Sequence, residues 1–201
     1  MTAPLEQRLL LSARSGDYEA FEHLRSLLDL PVRRFIRRLI GLHDAEDDIV
    51  QTVFIALFFN MHKIEPVENL RPYLYRMVRN RCYDELREQG RFDVFSFDEE
   101  PTWLSFTSEN GFETQPEEVA HWLLLHLEVK EAIQKLPELQ RETLILYAEE
   151  NLSYAEIALV MESNIGTVKS RLHHAKRTLR QLLRPQTLMA LESELQGEGD
   201  D

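Results

Sequence analysis

The chain has 201 residues, 43% of them hydrophobic, one cysteine and a formal net charge of −12. That apolar share supports packed cores and excludes global disorder; a lone Cys82 excludes an internal disulfide, and no Cys/His cluster has zinc spacing. The most apolar run, IVQTVFIALFF, carries Gln51 and Thr52 and falls short of the ~20 apolar residues a bilayer span needs.

Glu6 and Arg8 interrupt the N-terminus too early for a signal peptide, so a soluble, cytoplasmic protein without membrane insertion is expected. Seven glycines and eight prolines break the chain rarely, and period-two alternation of β-branched residues is hard to find. The expected fold class is all-α: two small helical domains joined by an acidic linker.

Residues 5–91 read as the first helical module. Phe21, Leu24, Leu27 and Leu28 recur at helical spacing, and Pro31 is expected to reset the chain. A second apolar face follows with Val32, Phe35, Ile36 and Leu39, and Gly41 is a stop signal. DAEDDIVQTVFIAL then opens with acids, as a helix N-terminus favours, and Ile49, Val53, Ala56 and Leu57 form its stripe. After Pro66, Leu70, Leu74, Met77, Val78, Cys82 and Leu86 mark one side of another helix that ends at Gly90.

Residues 92–118 change character. They hold eight acids, no lysine or arginine, and the aromatics Phe92, Phe95, Phe97, Trp103, Phe106 and Phe112, too many for a pure spacer. The tail, 185–201, adds five acids and no cation. The rest of the chain holds 22 acids against 23 Lys and Arg, so the acidic total does not argue against nucleic-acid binding.

Residues 119–184 read as a second helical module. Pro137 is placed in the first turn of one helix, and Ser153 with Glu156 matches a capping box before Ile157. Glu162, Ser163 and Asn164 form a turn candidate. A helix then starts near Ile165, with Val168, Leu172, Ala175, Leu179 and Leu182 inward. Short helix, tight turn and longer helix make a helix-turn-helix pattern. The stretch from Gly166 to Arg184 carries Lys169, Arg171, Lys176, Arg177, Arg180 and Arg184 and no acid. An acid there would face phosphates, so its absence has a physical cause. Ser163, Asn164, Thr167, Lys169, Ser170, Arg171, His173, His174, Lys176 and Arg177 are the candidates to meet DNA.

LPELQRETLILYAEENLSYAEIALVMESNIGTVKSRLHHAKRTLRQLL resembles the C-terminal DNA-binding domain of bacterial sigma factors of the extracytoplasmic-function group. DAEDDIVQTVFIAL resembles that family's helix for the polymerase core, and LRPYLYRMVRNRCYDELR its promoter-melting helix. The resemblance spans about residues 8–184.

It implies a factor, not an enzyme, that takes core RNA polymerase to promoter DNA. Residues 5–91 would bind core and melt and read the −10 element, and residues 119–184 would read the −35 element. Core binding would fall to Asp47, Asp48, Gln51, Thr52 and Phe54. The −10 element would meet Lys63, Asn69, Arg71, Tyr73, Arg76, Arg79 and Asn80, where aromatics beside arginines suit unpaired bases. Tyr75 could equally pack inward. No catalytic residue, metal or cofactor is implied. The family also implies an anti-sigma partner, which no residue identifies, and a linker that threads the core enzyme.

Two departures stand out. The family often has glycine where this chain has Glu162, so the turn must form without it. His174, next to His173, stands where many members carry arginine, which predicts −35 binding that strengthens below about pH 6.5 as histidine charges. The competing readings are a stand-alone helix-turn-helix regulator, a nuclease built around Glu46, Asp47 and Asp48, and a pure adaptor.

Overall fold

The computed structural model describes residues 4–41, 43–88 and 116–190. Among them helices dominate and no strand occurs. In chain order they are α1 (Leu5–Arg14), α2 (Tyr18–Ile40), α3 (Glu46–Asn60), α4 (Leu70–Glu88), α5 (Pro116–Gln134), α6 (Glu138–Ala148), α7 (Tyr154–Val160) and α8 (Ile165–Leu182). Two short 3-10 turns, Met61–Lys63 and Val67–Asn69, lie between α3 and α4. The acidic segment 92–118, apart from its last three residues, and the tail beyond residue 190 lie outside the described residues.

The chain divides into two compact units, Met1–Asp98 with Ile145–Lys169, and Glu99–Leu144 with Ser170–Asp201. In the first unit α1 packs on α2, α2 on α3 and α4, α3 on α4, and α7 lies on α4.

Helix α2 corrects the expectation that Pro31 resets the chain: it runs unbroken through that residue. Proline removes one backbone bond, to the carbonyl of Leu27. Leu27 and Leu30 are exposed, so water can take the freed acceptor. Meanwhile Phe21, Leu24, Leu28, Val32, Phe35, Ile36 and Leu39 keep one buried stripe across the proline. Burying a side chain of that size is worth about 1.5–3 kcal/mol, so the stripe outweighs the lost bond. Asp17 caps the start by accepting from the Ala20 N–H at 3.0 Å. Gly41 ends the helix at φ +75°, its N–H bonded to the Arg37 carbonyl, in the left-handed region that favours glycine.

Helix α4 is the spine of this unit. Leu70, Leu74, Tyr75, Val78, Cys82 and Leu86 are buried, while Met77 is half-buried. Tyr75 packs inward, edge-on to Phe35 at 5.1 Å, and its hydroxyl bonds the Glu150 carboxylate. Burial first, and the neighbouring Glu150 charge second, push the Tyr75 hydroxyl's pKa up. Burial also raises Glu150, against the opposing pull of the Tyr75 bond and of Arg34 and Arg71.

In the second unit, Glu128 of α5 holds the end of α8. It accepts from the Arg184 N–H at 2.6 Å, the Arg184 guanidinium at 2.7 Å and the buried Thr187 hydroxyl at 2.9 Å. Those bonds, with the Arg184 guanidinium first, pull the Glu128 carboxyl down to about 2. Leu172, Ala175 and Leu183 are buried, but Leu182, expected inward, is 39% exposed. The helical pattern ends one residue short, and Leu183 takes the core position instead.

Candidate nucleic-acid interface

Helix α3 is apolar almost all round, and its two apolar faces have different fates. Ile49, Val50, Val53, Phe54 and Leu57 are buried. Ile55 is 51% and Phe59 73% exposed, next to Tyr18 of α2 at 63%. With Phe58, edge-on to Phe21 at 4.9 Å, they border an open cleft of about 520 Å³ that also takes in Asp47 and Gln51.

At the helix start, Glu46 is buried and spent on Arg33 at 3.0 Å and Arg37 at 2.6 Å. Arg33 also reaches Asp29 and Asp47, and these carboxylates, Asp47 first, hold its guanidinium firmly protonated. These acids therefore brace α2 against α3, which disposes of Glu46 as a nuclease carboxylate.

A second cleft, of about 220 Å³, lies where the loop before α4 meets that helix. Lys63, Ile64, Glu65, Asn69, Pro72, Tyr73 and Arg76 line it, with Leu159 of α7. Arg14 of α1 sets the loop by donating to the carbonyls of Met61, at 2.8 Å, and Ile64. Lys63 donates to Asn60 at 2.8 Å. Arg76 lies over the Tyr73 ring at 5.5 Å, and Arg79 over Tyr83 at 4.7 Å. Arg71 is committed elsewhere: it forms a two-pronged bond to Glu6, at 3.0 and 2.9 Å, and donates to the Glu150 carbonyl at 3.4 Å.

The helix-turn-helix forms by side-chain caps. Ser153 accepts from the Glu156 N–H, and the Glu156 carboxylate accepts from the Ser153 N–H, closing the capping box. At the turn, the Ser163 N–H bonds the Ala158 carbonyl at 3.0 Å, the closure that needs a left-handed residue in between. Glu162 is that residue, at φ +47°. Asn164 then caps α8, its Oδ1 accepting from the Thr167 N–H at 2.8 Å and the Thr167 hydroxyl at 3.0 Å.

Beyond the cap, Lys169, Ser170, His173, His174, Lys176 and Arg177 are exposed, and Arg171 is half-buried. Lys169, Ser170, His173, His174 and Arg177 lie opposite the buried Val168, Leu172 and Ala175, with Arg171 and Lys176 at the two edges of that outer side. A helix of this kind, with cations and hydroxyls outward and no acid, fits a DNA groove.

Residues 23–92 match Sigma-70 region 2, and residues 126–179 match Sigma-70 region 4. The ECF RNA polymerase sigma factor EcfG of Rhodopseudomonas palustris is 32% identical over 152 residues, 76% of this chain and 78% of that protein. The chain belongs to the ECF group of RNA polymerase sigma factors. SigW of Bacillus subtilis is 27% identical over 89% of this chain and 96% of its own length. Among solved structures, the sigma factor RpoE of Bartonella quintana, bound to the anti-sigma factor NepR, superposes with a TM-score of 0.60 at 25% identity. That match covers 81% of this chain and 95% of RpoE. CnrH, in complex with the cytosolic domain of CnrY, shares the fold at a TM-score of 0.62 and 21% identity, covering 89% of this chain and 97% of CnrH.

Within this sigma factor the residues singled out by sequence fall into four groups. Lys63, Asn69, Tyr73 and Arg76 converge on one cleft, and the outer side chains of α8 share one face. Asp47, Asp48, Gln51 and Thr52 are exposed on α3. Others serve the fold: Phe54 is 3% exposed, Arg71 is held by Glu6, and Asn164 is a cap. Tyr18, Ile55 and Phe59 were missed. The available signal was that α3 carries more apolar residues than one face can bury, which marks a helix with a second partner.

Among the described residues no three His, Cys, Asp or Glu side chains group as a metal set, and no helix is long and apolar enough to cross a membrane.

Proposed function

We propose that this sigma factor works in the cytoplasm without catalysis of its own, docking core RNA polymerase through α3 and bringing it to promoters through two DNA surfaces. Asp47, Asp48, Gln51 and Thr52, joined by the exposed Ile55 and Phe59, form the core-docking face; Phe54 supports it from beneath. The cleft of Lys63, Asn69, Tyr73 and Arg76, extended by Arg79 and Asn80, melts and reads the −10 element. Thr167, Lys169, Ser170, Arg171, His173, His174, Lys176 and Arg177 read the −35 element, with Ser163 and Asn164 shaping the turn that presents them. Residues 5–91 and 119–184 act as the two functional domains, and the acidic segment between them follows the core enzyme. An anti-sigma factor, as carried by RpoE of Bartonella quintana, is the expected regulator.

The observation that carries this reading is the pairing, in one chain, of a basic acid-free helix suited to duplex DNA with an aromatic and arginine cleft suited to unpaired bases. An extruded base costs a few kcal/mol, and stacking on an aromatic ring returns about 1–3 kcal/mol per base. A stand-alone duplex binder would have no use for the cleft.

The test is transcription in vitro from a genomic fragment library with purified chain and bacterial core polymerase. Discrete, chain-dependent starts that share two spaced upstream elements support the proposal. Absence of both core binding and starts, with duplex binding by the chain alone, refutes it.

A further inference from the structure

We infer that residues 191–201 dock on the outer side of α8 and act as a tethered acidic competitor, which duplex DNA must displace to reach that helix. This rests on α8 being the duplex surface. From Ser163 to Leu191 the sequence holds no acid; Glu192, Glu194, Glu198, Asp200 and Asp201 then follow within ten residues, with no lysine or arginine after Arg184. On α8, Lys176, Arg177 and Arg180 are exposed. Lys176 and Arg180 lie four residues apart, as do Arg180 and Arg184, and like charges at that spacing repel along a helix. Arg184 is held by Glu128, whereas among the described residues the Arg177 and Arg180 guanidinium groups enter no ion pair.

The joint at the end of α8 brings the acids to this helix. Glu128 of α5 holds the Arg184 N–H and guanidinium and, three residues on, the Thr187 hydroxyl. The Leu188 N–H bonds the Arg184 carbonyl at 3.1 Å, and Leu183 and Thr187 are buried. The chain after α8 is thereby pinned as far as Leu188, close before the acidic segment, which itself lies outside the described residues. Residues 191–201 can span up to about 36 Å when extended, while α8, Ile165–Leu182, rises about 27 Å. Every cation on its outer side is therefore within reach. A short tether of this kind gives an effective concentration on the order of millimolar, so contacts that are weak one by one suffice.

The chemistry suits a competitor that yields. A duplex carries one charge per about 1.7 Å of its axis, a denser row than five carboxylates spread over residues 192–201. The segment therefore loses to a duplex that adds base contacts to its phosphate contacts, and it suppresses binding held by phosphates alone. Apparent DNA affinity falls by the fraction of molecules in which α8 is uncovered.

The experiment uses the full chain without core polymerase. Spin labels at Gln181→Cys, on the line of His174 and Arg177 along the helix, and at Gln196→Cys report the distance between α8 and the acidic segment; the native Cys82 is buried. Affinity for a random-sequence 20-base-pair duplex pool is measured by anisotropy. A short label distance is expected in low salt, lengthening when the duplex is added or when salt screens the charges. Joint neutralisation by Glu192→Gln, Glu194→Gln, Glu198→Gln, Asp200→Asn and Asp201→Asn should lengthen it too. The same variant should bind the duplex about 5-fold more tightly or better, a typical size for coupling of this kind.

A label distance that ignores salt, duplex and neutralisation overturns the docking, even where affinity rises, since the rise is then long-range repulsion by net charge. A distance that responds while neutralisation leaves affinity unchanged overturns the competitor. A distance that lengthens in high salt and on neutralisation, with no duplex binding in any variant, upholds the docking and removes the duplex reading of α8. The salt arm needs no neutralised chain, so the docking stays testable should that variant fold poorly.

Discussion

At and beside the α4 cleft the cations rest on rings and an amide of the first unit; on α8 most of the side chains assigned to DNA are exposed, with Lys169 over the Tyr154 ring and His173 against His174. Arg76 rests on Tyr73, Arg79 on Tyr83 and Lys63 on Asn60, and Arg14 pins the loop beside them. The two surfaces face different tasks. A melted base has lost its stack and pair, so its receptor must be rigid, aromatic and preformed. A duplex presents a regular row of phosphates and base edges, and long side chains on a capped helix can adjust to it. Preorganisation is thus concentrated where the nucleic acid must be deformed.

The largest expected effects would break this division. Tyr73→Ala removes a stacking face and should weaken single-stranded −10 binding by about 10- to 100-fold, from about 1–3 kcal/mol per base, with duplex −35 binding unchanged. Arg171→Ala should do the reverse at similar size, since a good bidentate base contact is worth about 1–3 kcal/mol. Filter binding of each variant to the two probes checks both.

Arg14→Ala sharpens the role of the preformed loop. It removes two charge-assisted bonds to backbone carbonyls, each of a class worth about 1.5–3 kcal/mol at most. It should lower urea stability and slow promoter opening more than initial binding.

Ser153→Ala opens the capping box and should cost about 1 kcal/mol in chemical unfolding, loosening α7, although Ser153 itself lines neither DNA surface.

The smallest effect concerns Glu128, which binds the end of α8 and touches neither DNA face. Its carboxyl, held at about 2, contributes stability that is present above the ordinary carboxylate range and lost as pH falls towards 2. Glu128→Gln should therefore be less stable than wild type at pH 6, with the gap closing between about pH 4.5 and 2, as read by urea melts at each pH.

Much of the fold was legible because helix periodicity and caps are local. The capping box at Ser153 and the stop at Gly41 needed nothing beyond neighbours in sequence, and the apolar stripe of α4 followed its spacing. The misreadings are tertiary. Pro31 suggests a break until the buried stripe on both sides is seen to continue. Leu182 and Leu183 differ by one helical step, and the ties of Glu128 to Arg184 and Thr187 span 56 and 59 residues of sequence.

At the candidate surfaces, residue type alone could not separate a phosphate ligand from an ion-pair partner. Arg71 and Arg76 are alike in sequence, yet Glu6 holds the first while the second borders the cleft. Phe54 and Phe59 are alike too, and only the orientation of α3 decides which is buried.

We propose that two separate surfaces of this sigma factor handle melted and duplex promoter DNA. Permanganate footprinting of open complexes tests it most directly, using core polymerase with wild type, Tyr73→Ala or Arg171→Ala at a promoter found by start mapping. Tyr73→Ala should keep the upstream duplex protected while the −10 thymines stay unreactive. Arg171→Ala should lose upstream protection yet start transcription on a pre-melted template. Loss of the same step in both variants would contradict it.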